Sequence, residues 1–288
     1  VTGGTYDRIY DLTDAGLPAP PVDGGPTGES EPATISSFRL DKYLVTVGRF
    51  RSFVAAWSGG AGYLPAPGSG KHAHLNGGQG LAVGGGTASY EPGWLESSNG
   101  GVTPTDSNLV CLPGYATWTP APAGQESLPI NCVTWQEAYA FCIWDGGFLP
   151  SEAEWEYAAA GGNEQREYPW GATDPGTAYE YAIYGCTYPN GNELCTGNGN
   201  LAPVGTAPRG AGRWGQLDLA GEVYEWTLDW YGPYTSSCVD CANLTQGSNR
   251  VIRGGDYAYD ATYLIPSNRG NNPPGRMNGI GFRCARIP

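Results

Sequence analysis

The chain has 288 residues and a formal net charge of −13, from 28 acidic against 15 basic residues, with no basic run. Nucleic acid needs clustered Lys and Arg to displace its counterions, so this balance argues against it as a partner, and no apolar run reaches the roughly 18 residues that a membrane-spanning helix requires. Hydrophobic residues are 40%, and Gly 46 with Pro 24 make up about a quarter of the chain, which fits an ordered, loop-rich domain better than disorder.

Val1 opens a strand-like start, and its not being Met is consistent with removal of a signal peptide. A Pro/Gly/acidic loop is expected over 17–32, then alternation over Phe38–Tyr43 predicts a strand. Val47, Phe50, Phe53 and Val54 recur at helical spacing, so a helix is expected over Val47–Trp57. Residues 58–124 are mostly Gly, Pro, Ser and Thr with an aromatic every few positions. A connection that long reads as an ordered insertion within one domain spanning 1–288. Thr134, with Glu137 three residues on, is a capping-box signature for a helix over Trp135–Cys142 that ends at Gly146-Gly147. Ser151 and Glu154 repeat that signature for a second helix over Glu152–Ala160, whose acidic first turn suits the helix dipole. Short strands and turns follow to the end.

Eight cysteines form an even set without paired zinc-like spacings, and the single C-x-x-C, Cys238-Val239-Asp240-Cys241, lacks a strand–helix context. Four disulfides in an oxidising compartment are expected. His72 and His74 in the Gly-rich insertion read as exposed loop residues. The alternative is a shared metal, since i and i+2 on an extended segment face one way. No G-x-S-x-G, P-loop or H-E-x-x-H motif is present.

Leu149-Pro150-Ser151-Glu152-Ala153-Glu154-Trp155-Glu156-Tyr157-Ala158-Ala159 resembles the signature of the formylglycine-generating enzyme (sulfatase-modifying factor) family. Tyr168–Gly171, Leu217–Trp226, Arg250–Gly255 and Gly281–Arg286 resemble its further blocks, in order and spacing. The resemblance implies an α+β, C-type-lectin-like fold with little regular structure, small antiparallel sheets, two main helices and long loops. It also implies where chemistry belongs. The two copper-binding cysteines of the family fall at Tyr259 and Leu264 here, and neither residue ligates copper. Copper-dependent formylglycine formation is therefore not expected.

By the same resemblance, a structural calcium is expected on Asp218, Gly221, Val223 and Glu225, where two carboxylates and two carbonyls supply part of a hard oxygen shell. The second calcium site of the family should be absent or rebuilt, because Ala182 and Thr196 replace its Asn and Asp. Family position pairs Cys142 with Cys284, closing a loop that the chain-entropy model values at roughly 4–5 kcal/mol. The other cysteines pair most simply by neighbourhood, as Cys186–Cys195, Cys238–Cys241 and Cys111–Cys132.

The former active-site face is expected to carry Asp256, Tyr257, Tyr259, Asp260 and Tyr263, with Asn268, Arg269, Asn271, Arg276 and Asn278. Tyr, Asn, Asp and Arg suit adaptable recognition, and related lectin-like domains diversified by retroelements vary here. The leading expectation is a non-catalytic module in a secreted, periplasmic or cell-surface setting, binding a protein or glycan ligand. The competing expectations are a metal-dependent oxidoreductase of altered chemistry, with His72, His74 and a carboxylate, and a structural subunit that assembles with copies of itself.

Overall fold

A computed structural model of the chain describes residues 1–10, 30–58, 62–84, 89–191, 193–235 and 237–288. Its strands are short. In chain order they and the helices are β1 (Gly4–Ile9), β2 (Ser30–Ile35), β3 (Arg39–Leu40), α1 (Val47–Ser58), β4 (Ala82–Val83), α2 (Asp106–Leu109), α3 (Trp135–Trp144), α4 (Glu152–Ala159), β5 (Tyr224–Trp230), β6 (Cys238–Val239), β7 (Cys241–Ala242), β8 (Arg250–Arg253), β9 (Arg269–Asn272), β10 (Ile280–Gly281) and β11 (Ala285–Arg286). They form a four-stranded sheet ordered β10-β5-β8-β9, a three-stranded sheet β1-β2-β6, and the pairs β11-β3 and β4-β7.

The expected α+β fold with few helices and small sheets is what the chain adopts. Both capping boxes are present: Thr134 Oγ1 accepts from the Glu137 N–H and Ser151 Oγ accepts from the Glu154 N–H, with each Glu answering its cap's backbone. These contacts satisfy donors that a helix start otherwise leaves bare. The helix ends shift by one or two residues, and two other boundaries differ more. The Phe38–Tyr43 strand contracts to Arg39–Leu40, because its partner β11 offers only two residues. Of the loop expected over 17–32, residues 17–29 lie outside the described residues, while Ser30–Pro32 belong to β2 and pair with β1. Pro32 is tolerated there because the parallel partner β6 begins its pairing only at Ala33.

The segment 58–124 is not a surface appendage. Leu75, Leu81, Trp94, Val102, Leu109 and Trp118 enter the main apolar cluster beside Phe50 and Phe53 of α1 and Phe141 of α3. Every residue of α4 is buried, including Glu152, Glu154 and Glu156. Three buried carboxylates on one helix are stable only with counter-charges, and the fold supplies them. Arg253 and Arg269 meet Glu152, Arg253 also meets Glu156, and His72 meets Glu154.

The eight cysteines form the disulfides Cys111–Cys132, Cys142–Cys284, Cys186–Cys195 and Cys238–Cys241, leaving no free thiol. Cys142–Cys284 ties α3 to the segment between β10 and β11 across 142 positions. Among the described residues no helix is long and apolar enough to cross a membrane. Four disulfides are compatible with an oxidising, non-cytosolic compartment.

Candidate functional site

The site begins where β8 stops. Arg253 is followed by Gly254 and Gly255, both left-handed with φ of 98° and 72°. A Cβ on Gly255 would come within 2.8 Å of the Tyr263 carbonyl, so the turn needs glycine. It lays 256–263 across the end of the β5–β8 pair.

There Tyr259 and Tyr263 pack with ring centroids 4.5 Å apart, and Tyr224 of β5 meets Tyr259 nearly edge-on at 5.9 Å. The three rings wall a depression of about 410 Å³, shared with Ile252, Asp256, Tyr257, Asn271, Met277 and Asn278. Tyr259 and Met277 are close to half exposed on its rim. Asp256 is buried in its floor and accepts from the Ala258 N–H at 2.9 Å. Burial pushes its carboxyl up to about 6, against the pull of the Ala258 and Tyr259 N–H groups. Gly279 passes close to this carboxylate, and a Cβ there would lie 2.3 Å from Asp256 Oδ2, so a larger residue would have to displace it.

Of the ten residues expected on this face, six line the depression: Asp256, Tyr257, Tyr259, Tyr263, Asn271 and Asn278. The other four act as internal ties. Asp260 caps the short turn Ala261–Tyr263. The Asn268 carbonyl accepts from Arg253. Arg269 pairs with Glu152 between the Tyr231 and Tyr234 rings, and Arg276 pairs with Glu137 at the start of α3. Sequence reasoning missed Tyr224 and Ile252. Tyr224 lies inside the block read for calcium, and its alternation with Glu225 along β5 was the available signal. Leu264 is buried against Tyr168, Ala182 and Ala220 and does not line the depression.

The segment expected to hold calcium lies on the other side of β5. Asp218, Gly221, Val223 and Glu225 are all buried. Glu225 Oε2 accepts from Arg283 Nε at 2.7 Å, and the Arg283 Nη groups take the Leu217 and Asp218 carbonyls. Asp218 Oδ2 accepts from the Gly205 N–H at 2.7 Å. Glu222, also buried, accepts from the Ala202 N–H through Oε2, whereas its Oε1 has no partner. Glu225 Oε1 has no well-formed bond either, although the Trp155 indole is near enough to favour its charge.

Among the described residues Arg283 thus pairs with Glu225, while the buried Asp218 and Glu222 carboxylates form no ion pair. Burial raises all three carboxyls, Asp218 to about 6 and Glu222 well above its usual range, with Asp218 adding to the rise at Glu222. Surplus carboxylate oxygens in a buried loop fit a hard cation.

His72 departs most from expectation. It is fully buried rather than exposed, with Nδ1 3.0 Å from Glu91 and Nε2 3.0 Å from Glu154. Burial pulls its pKa down, but Glu154 and Glu91 outweigh that and push it up to about 10. Both ring nitrogens are committed, so His72 has none left for a metal shared with His74. His74 is half-buried, stacked on Phe148 without a hydrogen-bond partner. The sequence signal was hidden because Glu91 and Glu154 are 19 and 82 residues away.

The sulfatase-modifying factor enzyme 1-like domain matches residues 12–288. The chain belongs to this family. Within the sulfatase-modifying factor family it is 31% identical to the formylglycine-generating enzyme of Thermomonospora curvata, with all of this chain and 92% of that enzyme covered. It is 38% identical to the Streptomyces coelicolor formylglycine-generating enzyme over 56% of the chain, a stretch that spans about half of that relative (54%). A mouse protein named inactive C-alpha-formylglycine-generating enzyme 2 is 31% identical over 60% of the chain and 58% of its own length. Among solved structures, PvdO from Pseudomonas aeruginosa superposes with a TM-score of 0.63 at 23% identity, covering 100% of this chain and 93% of PvdO. That likeness speaks for the fold alone.

Proposed function

We propose that this sulfatase-modifying factor domain is a non-catalytic binding or assembly module of an extracellular or periplasmic setting, and that its ligand, a protein or glycan, sits on the Tyr224–Tyr259–Tyr263 wall. The observation that carries this reading is the depression itself: four tyrosines and three asparagines around a buried acid, beside a chain whose eight cysteines are all held in disulfides. Aromatic faces with adaptable polar groups favour recognition. With no thiol free, the soft sulfur pair that copper oxidation of a cysteine relies on has no donors here. An inactive member among the relatives shows that the family includes proteins named as such.

Calcium belongs to the same proposal as a structural ion held by Asp218, Gly221, Val223 and Glu225. The unpartnered Glu222 and Glu225 oxygens support it. When bound, it would neutralise the surplus carboxylate charge behind β5 and leave the tyrosine wall to the ligand.

The test incubates the purified protein with copper(I), oxygen and a cysteine-containing peptide, alongside a binding screen against glycans and extracellular proteins. No peptide oxidation is expected, and a hit in the screen should weaken at least tenfold in Tyr259→Ala with Tyr263→Ala. Turnover of the peptide to an aldehyde would overturn the reading.

A further inference from the structure

A second, smaller cavity opens at the far end of the β5–β8 pair from the tyrosine wall, where Trp230 is the register partner of Arg250. Its volume is about 90 Å³, and Trp135, Tyr139, Leu228, Trp230, Leu244 and Arg250 line it. The Arg250 guanidinium is sandwiched, with its carbon 3.5 Å from the ring centroids of both Trp135 and Trp230. Its two faces are therefore covered by π-systems, and only its edges remain for hydrogen bonding.

Those edges are unequal. Nη1 donates to the Leu228 carbonyl at 2.6 Å. Nε is shut from water and has no partner, and Nη2 makes no hydrogen bond among the described residues. In a planar guanidinium the Nε and Nη2 hydrogens point the same way, forming the two-pronged edge that matches a carboxylate. Among the described residues, Arg250 also differs from the other buried arginines, Arg8, Arg253 and Arg283, which each have a carboxylate within 4.0 Å. Burial lowers its pKa to about 9, which Asp229 and Tyr139 offset only in part. Glu91 lines the cavity as well, but both its oxygens are turned to His72 Nδ1.

We propose that this cavity is an anion subsite in which the Nε–Nη2 edge of Arg250 takes a carboxylate in its own plane, between the Trp135 and Trp230 rings. It is separate from the tyrosine wall, and it would stand if that wall bound nothing. The carboxylate comes from a free small acid or from an acidic side chain of a partner protein, two sources with one recognition chemistry.

The experiment titrates the intact protein with acetate and with acetamide at constant ionic strength. Tryptophan fluorescence and calorimetry are read in parallel for wild type and Arg250→Lys, which keeps the charge and loses the fork. Saturable acetate binding is expected, with no response to acetamide and at least a tenfold weakening in Arg250→Lys. N-acetylglutamate amide and N-acetylglutamine amide separate the sources. If the glutamate compound binds more tightly than acetate, an acidic side chain is the natural ligand; if acetate alone binds, a small free acid is. A response that does not saturate, that acetamide reproduces, or that survives unchanged in a folded Arg250→Lys overturns the proposal. Should Arg250→Lys fail to fold, the contrast between acetate and acetamide on wild type decides alone.

Discussion

Arg253 of β8 and Glu225 of β5 are direct partners across the central sheet, yet each takes its counter-charge from elsewhere. Around Arg253 the charges balance: two arginines, Arg253 and Arg269, serve Glu152 and Glu156, with the Tyr234 hydroxyl accepting from Arg253 at 3.0 Å. Around Glu225 they do not: among the described residues Arg283 pairs with Glu225, whereas Asp218 and Glu222 form no ion pair and Asp218 adds to the rise at Glu222. The first cluster pairs both of its glutamates with arginines and fastens α4 to the sheet, leaving Glu156 Oε1 without a partner. In the second, Glu225 alone has an arginine partner among the described residues, and Glu222 Oε1 and Glu225 Oε1 are both left without partners.

Removing the centre of the balanced cluster should have the largest effect. Arg253→Met leaves Glu152 and Glu156 buried without their shared cation, and urea unfolding should show a loss of about 3–5 kcal/mol. The His72 link to α4 comes next. His72→Gln should cost about 3 kcal/mol near neutral pH. Its pH dependence sharpens the point. A folded pKa of about 10 against an unfolded value near 6.5 means that the folded chain binds the extra proton between those limits. The His72 contribution is thus full below pH about 6.5 and lost as pH rises toward 10, so the unfolding free energy of His72→Gln should fall less steeply over that window.

The unbalanced cluster is where the proposed calcium is put to the test. Millimolar calcium after chelator treatment should raise the thermal midpoint by several degrees, a shift of about 1–2 kcal/mol in stability, and Glu225→Gln should abolish that rise. Without calcium, Glu222→Gln should stabilise by about 1 kcal/mol at pH 8. A carboxyl whose pKa is raised on folding penalises the folded state above its unfolded pKa, and the amide removes that penalty. If Glu222→Gln destabilises the calcium-free protein, the two clusters are alike and the contrast fails.

Local chemistry wrote much of this fold into the sequence. Thr134 with Glu137 and Ser151 with Glu154 placed two helix starts to the residue, because a capping box is a contact between neighbours in the chain. The cysteine pairs between near neighbours, and the order of the family blocks, were legible for the same reason. At the site, six of the ten expected residues meet in one depression because they follow one glycine turn or the strands beside it. Arg269 and Arg276 were expected on the ligand-binding face, and nothing local reveals that their partners Glu152 and Glu137 lie 117 and 139 residues away.

The sequence by itself therefore determined where helices begin, which family the chain resembles and which residues gather beyond Gly254-Gly255. Only the tertiary structure decided which charges are spent inside the protein and which remain for a ligand. His72 reads as a loop histidine and becomes a buried bridge, whereas Arg250 reads as the first residue of a family block and becomes a cation with no carboxylate within 4.0 Å among the described residues. The reason is physical: a buried charge is governed by the groups that desolvate and pair it, and those arrive from distant parts of the chain.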